Sequence, residues 1–231
     1  MDTLKNLKEY IKKFCEKYKL EFYECFMLEV VTDISEYIRN DDSEYYYNKK
    51  EQIDRAIGML YEDSNKQWII LVKEQDSINF LLTLLHEYVH LYDYKSLSRV
   101  RNNLIFRELQ EDYVFLFWTE FHATYLSYRF LIDMNPTEIE VKAVQNEIVA
   151  DLIEYYSSSK LDKNEAVNKT VRSYGKYLAL YDEFCTEVTL YPKRYYYNEL
   201  FLEIYIFLKN NKIFDTFIAV YGKFNDLLLK I

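Results

Sequence analysis

Residues 79–92 read NFLLTLLHEYVHLY, an apolar run without Gly or Pro, and its length and composition predict a buried helix. Helical side chains four residues apart stand one above the other, so His86 and His90 can reach a single point in space. These two are drawn from only three histidines in the chain. From Thr83 to Tyr92 the one charged residue is Glu87, directly after His86, and an unpartnered carboxylate in such a run is costly to bury. H-E-x-x-H on a helix resolves these demands as a metal site: both imidazoles are ligands, and the glutamate stands beside the ion, where it can take a proton from water. A hydrogen-bonded or exposed trio without a metal is the competing explanation.

The rest of the chain favours helix. Gly (3) and Pro (2) are scarce in 231 residues, which argues against an all-β sandwich full of tight turns, while half of the residues are apolar, enough for a substantial core. The expected class is α+β, predominantly helical, as a single domain over 1–231. It is divided into an N-terminal helical segment (1–50), a metal core (51–135) and a C-terminal helical bundle (136–231). A net charge of -9 disfavours direct nucleic-acid binding, which needs a basic surface. Leu4, Leu7, Ile11, Phe14 and Tyr18 recur at helical spacing and predict an amphipathic first helix packed on the core. The longest apolar run, Tyr113 to Ile132, is interrupted by Glu120, His122 and Arg129, so no membrane span is expected and no signal peptide is read. Cys15, Cys25 and Cys185 lack C-x-x-C spacing and suit reduced core thiols in a cytoplasmic protein.

Along the chain, Glu21 to Arg39 mixes strand and helix periods, and Asn40 to Lys50 reads as a charged, Tyr-rich connection. Ala56 to Tyr61 and Gln67 to Lys73, separated by EDSNK, predict a β-hairpin whose second strand is the clearest in the chain. Asp76 or Ser77 can cap the helix carrying HEYVH. Lys95 to Asn103 reads as a polar connection, followed by a helix from Leu104 or Gln110 to Asp133. A further helix is expected from Asn135 and Pro136 to about Tyr156, then a loop over 157–164, and helices over 165–184, 195–208 and 214–229. The tyrosine clusters at 45–47 and 195–197 read as core, with a peptide-binding surface as the alternative.

A catalytic zinc needs a third protein ligand and keeps a position for water. Glu120 is the leading candidate, because a lone carboxylate in FLFWTEFHATYLSYRFL is costly without a compensating cation; a salt bridge to Arg129 or another base is its bland alternative. His122 lies two residues on, which in a helix turns it away from Glu120, and Asp93 follows His90 by three residues but suits an outer role better. Glu87 and His90 also spell E-x-x-H, the unit of di-iron bundles, but a second such unit is missing from the sequence.

HEYVH with its apolar flanks and a downstream glutamate resembles the zincin metallopeptidases of the glutamate-ligand (gluzincin) branch. With a strand before the helix and E-x-x-A at Glu120 to Ala123, residues 53–133 are similar to ImmA/IrrE-like peptidases. Thr124 stands where many gluzincins place an Asp. The resemblance implies a zincin-like core, Zn2+ held by His86, His90 and Glu120, Glu87 as general base, and a protein or peptide substrate, narrowed to one regulatory protein. Such a cleft could hold an extended peptide by strand addition to 67–73, with an oxyanion donor from His122, Tyr92, Tyr113 or Tyr125. The alternatives are a regulatory metal-binding protein acting through a helical partner surface and a purely structural zinc.

Overall fold

The computed structural model describes residues 2–102, 104–134, 146, 150, 163–184 and 199–230. It is mostly helical, with a three-stranded sheet, and falls into two compact units, Met1–Leu109 and Gln110–Ile231. The helix expected over 136–156, the 157–164 loop, the 195–197 tyrosines and Cys185 lie outside the described residues, apart from two helical positions at 146 and 150. Among the described residues, no helix is long and apolar enough to cross a membrane.

The first unit runs α1 (Asp2–Tyr18), β1 (Met27–Val31), α2 (Ile34–Asp41), α3 (Ser43–Asn48), α4 (Lys50–Arg55), β2 (Gly58–Glu62), β3 (Trp68–Lys73), α5 (Ser77–Val100) and α6 (Phe106–Leu109). Helix α1 is amphipathic as its spacing predicts: Ile11 and Phe14 are fully buried and Lys12, Lys13 and Lys17 are exposed. It ends where Lys19 adopts a left-handed φ of 57° and the Leu20 N–H returns to the Cys15 carbonyl at 2.9 Å.

The ambiguous stretch 21–39 is a strand followed by a helix. Asp33 divides them, its carboxylate accepting from the Ser35 and Glu36 amides as the α2 cap. The connection expected over 40–50 is instead helical: Asp42 caps α3, which buries Tyr45 and Tyr46 and leaves Tyr47 exposed. Cys25 is likewise exposed, against its expected place in the core, whereas Cys15 is buried.

The sheet order is β1-β3-β2, with β1 parallel and β2 antiparallel to the central β3. A strand between two neighbours and covered on both faces has no polar side, which is why WIILV is continuously apolar. Met59, Tyr61, Ile69 and Leu71 face Ile34, Ile38, Tyr45, Tyr46 and Ile53 in one core cluster. By strand alternation, Leu60, Ile70 and Val72 face the opposite way, toward α5, which packs on β2 and β3. The hairpin loop is set by Asp63, whose Oδ1 accepts from the Asn65 and Gln67 amides at 2.9 and 2.7 Å.

The second unit contains, among its described residues, only helices: α7 (Tyr113–Met134), α8 (Lys163–Phe184), α9 (Glu199–Asn210), α10 (Phe214–Ala219) and α11 (Tyr221–Leu228). Of the two starts expected for the next long helix, Leu104 or Gln110, the second is close to the one observed: α6 is a separate short helix, and the Asp112 carboxylate caps the start of α7 by accepting from the Phe115 amide at 3.0 Å. The helix expected over 214–229 also breaks, at Val220. Helices α7 and α8 form the main packing of this unit, and Gly175 brings them together: a Cβ there would lie 2.7 Å from the Phe121 carbonyl oxygen and 2.9 Å from the Tyr125 amide nitrogen. Trp118 then stacks on Phe217, with ring centroids 4.4 Å apart, and donates from its indole N–H to the Asn211 carbonyl.

Candidate metal centre

Helix α5 begins where the sequence places its cap. The Asp76 carboxylate accepts from the Ile78 and Asn79 amides. The helix does not stop at the expected connection over 95–103 but continues to Val100. It is rigidly held on the side away from the histidines. Tyr88, fully buried, accepts from the Tyr23 amide at 2.9 Å and donates to the Glu21 carbonyl at 3.2 Å. Burial, foremost, pushes its phenol well above the ordinary range, so it stays a donor.

His86 and His90 do lie on one face. Their rings are 4.6 Å apart between centroids, and Nε2 faces Nε2 at 3.0 Å. Two imidazole lone pairs at that separation need a proton or a cation between them. His90 is buried and His86 half-buried, so solvent reaches the pair from one side.

Glu87 is 8% exposed, and its Oε2 accepts from the Leu60 amide at 2.9 Å. Strand β2 explains this partner. Its ladder to β3 runs through odd-numbered residues, with Lys73 N donating to Ile57 O and Asp63 N to Gln67 O, so the Leu60 N–H points outward from the sheet edge. Gly58 permits the approach: a Cβ there would lie 2.2 Å from Thr83 Cγ2 and 3.2 Å from Glu87 Oε1. Sequence reading did not single out Gly58 or Leu60. The available signal was an isolated glycine at the head of a strand, which marks a close backbone approach.

Glu120, on α7, has a side chain 14% exposed and accepts at Oε2 from Arg172 Nε at 2.8 Å. The competing explanation, a salt bridge to Arg129 or another base, is thus met by Arg172, while Arg129 itself is engaged by Asp133, Asp182 and Glu183. His86, His90 and Glu120 each offer one ligand atom, and these atoms lie within 4.8 Å of one another. Tetrahedral zinc takes nitrogen and oxygen ligands at about 2.0–2.2 Å, so a group of three such donors could hold the ion. Its chemistry, two imidazoles and one carboxylate, is also a zinc donor set.

The other candidates are placed elsewhere. Asp93 is fully buried on α5 and outside this group, as is His122, which is stacked on Trp118 with centroids 4.7 Å apart. Two of the proposed oxyanion donors are committed: the Tyr113 hydroxyl donates to Asn225 at 2.9 Å and that of Tyr125 to Asp182 at 2.7 Å. Burial and the Asp182 charge push Tyr125 above the ordinary phenol range. Tyr92 is half-buried on α5, its ring 6.2 Å from that of Tyr23. Nor is β3 available for strand addition, since both of its sides are paired; the sheet edges are β1 and β2.

A scan of family models and searches of curated proteins and of solved structures found no match to this chain.

Proposed function

We propose that this protein is a zinc-dependent peptidase in which His86, His90 and Glu120 hold the ion and Glu87 is the general base. The observation that carries the reading is the gathering of those three donor groups within 4.8 Å, with an intact glutamate next to His86. When bound, zinc would supply Lewis acidity, lowering a water's pKa to about 7 and polarising a carbonyl. Glu87 accepts the proton from the attacking water and returns it to the departing amine. Its bond to the Leu60 amide keeps one carboxylate oxygen oriented by the main chain and leaves the other to carry the proton. A peptide held near β2, the strand that already approaches Glu87, would have its cleaved bond beside that carboxylate.

Metal analysis tests the reading first. Protein isolated without metal stripping should carry about one zinc per chain and release it to chelator. A preparation that retains none, and takes up none at micromolar zinc, defeats the proposal. Hydrolysis of a peptide library that is lost on chelation, restored by zinc and abolished in Glu87→Gln would support it.

A further inference from the structure

Glu120, one of the three proposed ligands, has a hydrogen-bonding cation beside it. Arg172 reaches it from α8, whose residues 172 and 175 are one turn apart on the same face. The close approach at Gly175, opposite Phe121, therefore sets Arg172 opposite Glu120, and the Arg172 Nε to Glu120 Oε2 bond is 2.8 Å. The pairing continues as Glu183 meets Arg129 at 3.0 Å, so the two helices run in the same direction with a fixed register. Such a bond restricts the rotation of the carboxylate.

We infer that Arg172 is a positioning residue for the metal site: it orients the Glu120 carboxylate as a ligand. The inference rests on the reading of Glu120 as a ligand. Two effects of opposite sign act on zinc affinity. The guanidinium charge repels a dication, but the Arg172 side chain is 48% exposed and its field is screened by water. Orientation of a ligating carboxylate by an outer hydrogen bond typically commands 10–100-fold in affinity, and a donor is needed for it whether or not its charge is screened. Orientation wins, so removing Arg172 weakens zinc binding.

Equilibrium titration of the metal-free full chain with zinc alone tests this. Arg172→Met keeps the aliphatic stem and should bind zinc about 10–100-fold more weakly than wild type. Arg172→Lys, which keeps a single-point donor, should recover part of the loss. In a Glu120→Gln background, Arg172→Met should add little, because the carboxylate that it orients is gone; a merely structural arginine would weaken binding equally in both backgrounds. Far-UV circular dichroism and thermal midpoints confirm that each variant is folded. If Arg172→Met binds as tightly as wild type or tighter while Glu120→Gln is weakened, the positioning role is wrong and the ligand assignment survives. If Glu120→Gln itself binds as tightly as wild type, the ligand assignment fails and takes this role with it.

Discussion

Helices α5 and α7 each carry a glutamate through an apolar run, yet the two carboxylates are held by different kinds of partner. Glu87 on α5 is held by a main-chain amide on the edge of a sheet, at 2.9 Å. Glu120 on α7 is held by the side chain of Arg172, at 2.8 Å. A backbone donor cannot be removed by ordinary substitution and moves only with its strand, which suits a proton carrier that must stay in one place. A long, half-exposed side chain is adjustable, which suits a ligand whose grip on an ion is tuned. The same desolvation argument marks both residues, and the difference between their neighbours accords with the separate roles proposed for them.

The difference can be broken by charge removal. Glu87→Gln should keep its zinc and lower hydrolysis about 10²–10⁴-fold, the loss typical of a general base; zinc per chain and rate measured on one preparation check it, and activity within about tenfold of wild type contradicts the role. Glu120→Gln should show the reverse signature, losing zinc affinity by more than the about 10–100-fold typical of an outer partner, since a neutral amide replaces an anionic oxygen beside a dication. His122→Phe, which keeps the stack on Trp118, and Asp93→Asn should titrate with zinc as wild type does. Loss of the metal in Asp93→Asn with retention in Glu120→Gln would move the third ligand to α5.

The glycines sharpen the same contrast on a smaller scale. Gly175→Ala drives a methyl into the backbone of α7, and Gly58→Ala drives one into the Thr83 side chain. Each should lower stability to denaturant by about 1–3 kcal/mol, with Gly175 at the upper end because backbone atoms cannot rotate away. Thr83→Ser removes the offending Cγ2 but keeps the hydroxyl that accepts from Gln75 at 2.9 Å, so it should restore Gly58→Ala and leave Gly175→Ala unchanged. Equal costs with no rescue would mean that Gly58 does not set the approach of β2 to Glu87. The smallest effect is expected at Gly222 in α11, where a Cβ meets nothing within 4 Å: Gly222→Ala should stabilise by about 0.4–1 kcal/mol in the same assay.

The amino-acid sequence by itself determined what depends on neighbours a few residues away. The i,i+4 spacing set His86 and His90 on one face, Asp76 supplied the α5 cap, EDSNK closed the β2–β3 hairpin, and the 3.6-residue apolar stripe of α1 buried Ile11 and Phe14. These follow from local sterics and from hydrogen bonds within one element, which periodicity encodes. Tertiary structure alone decided which elements meet. Nothing local reveals that β3 is central and that β2 is an edge, so the expectation of strand addition on 67–73 failed. The Leu60 amide carries no side-chain signal that it will bind Glu87, 27 residues away, and the pairing of Glu120 with Arg172 rather than Arg129 depends on the register in which α8 lies on α7 at Gly175. Packing of other helices on α7 committed the Tyr113 hydroxyl to Asn225 and the Tyr125 hydroxyl to Asp182. Helical spacing fixes the face from which a side chain projects, but its partner is fixed by the packing of distant segments, where burial of polar groups forces each to find a donor or acceptor.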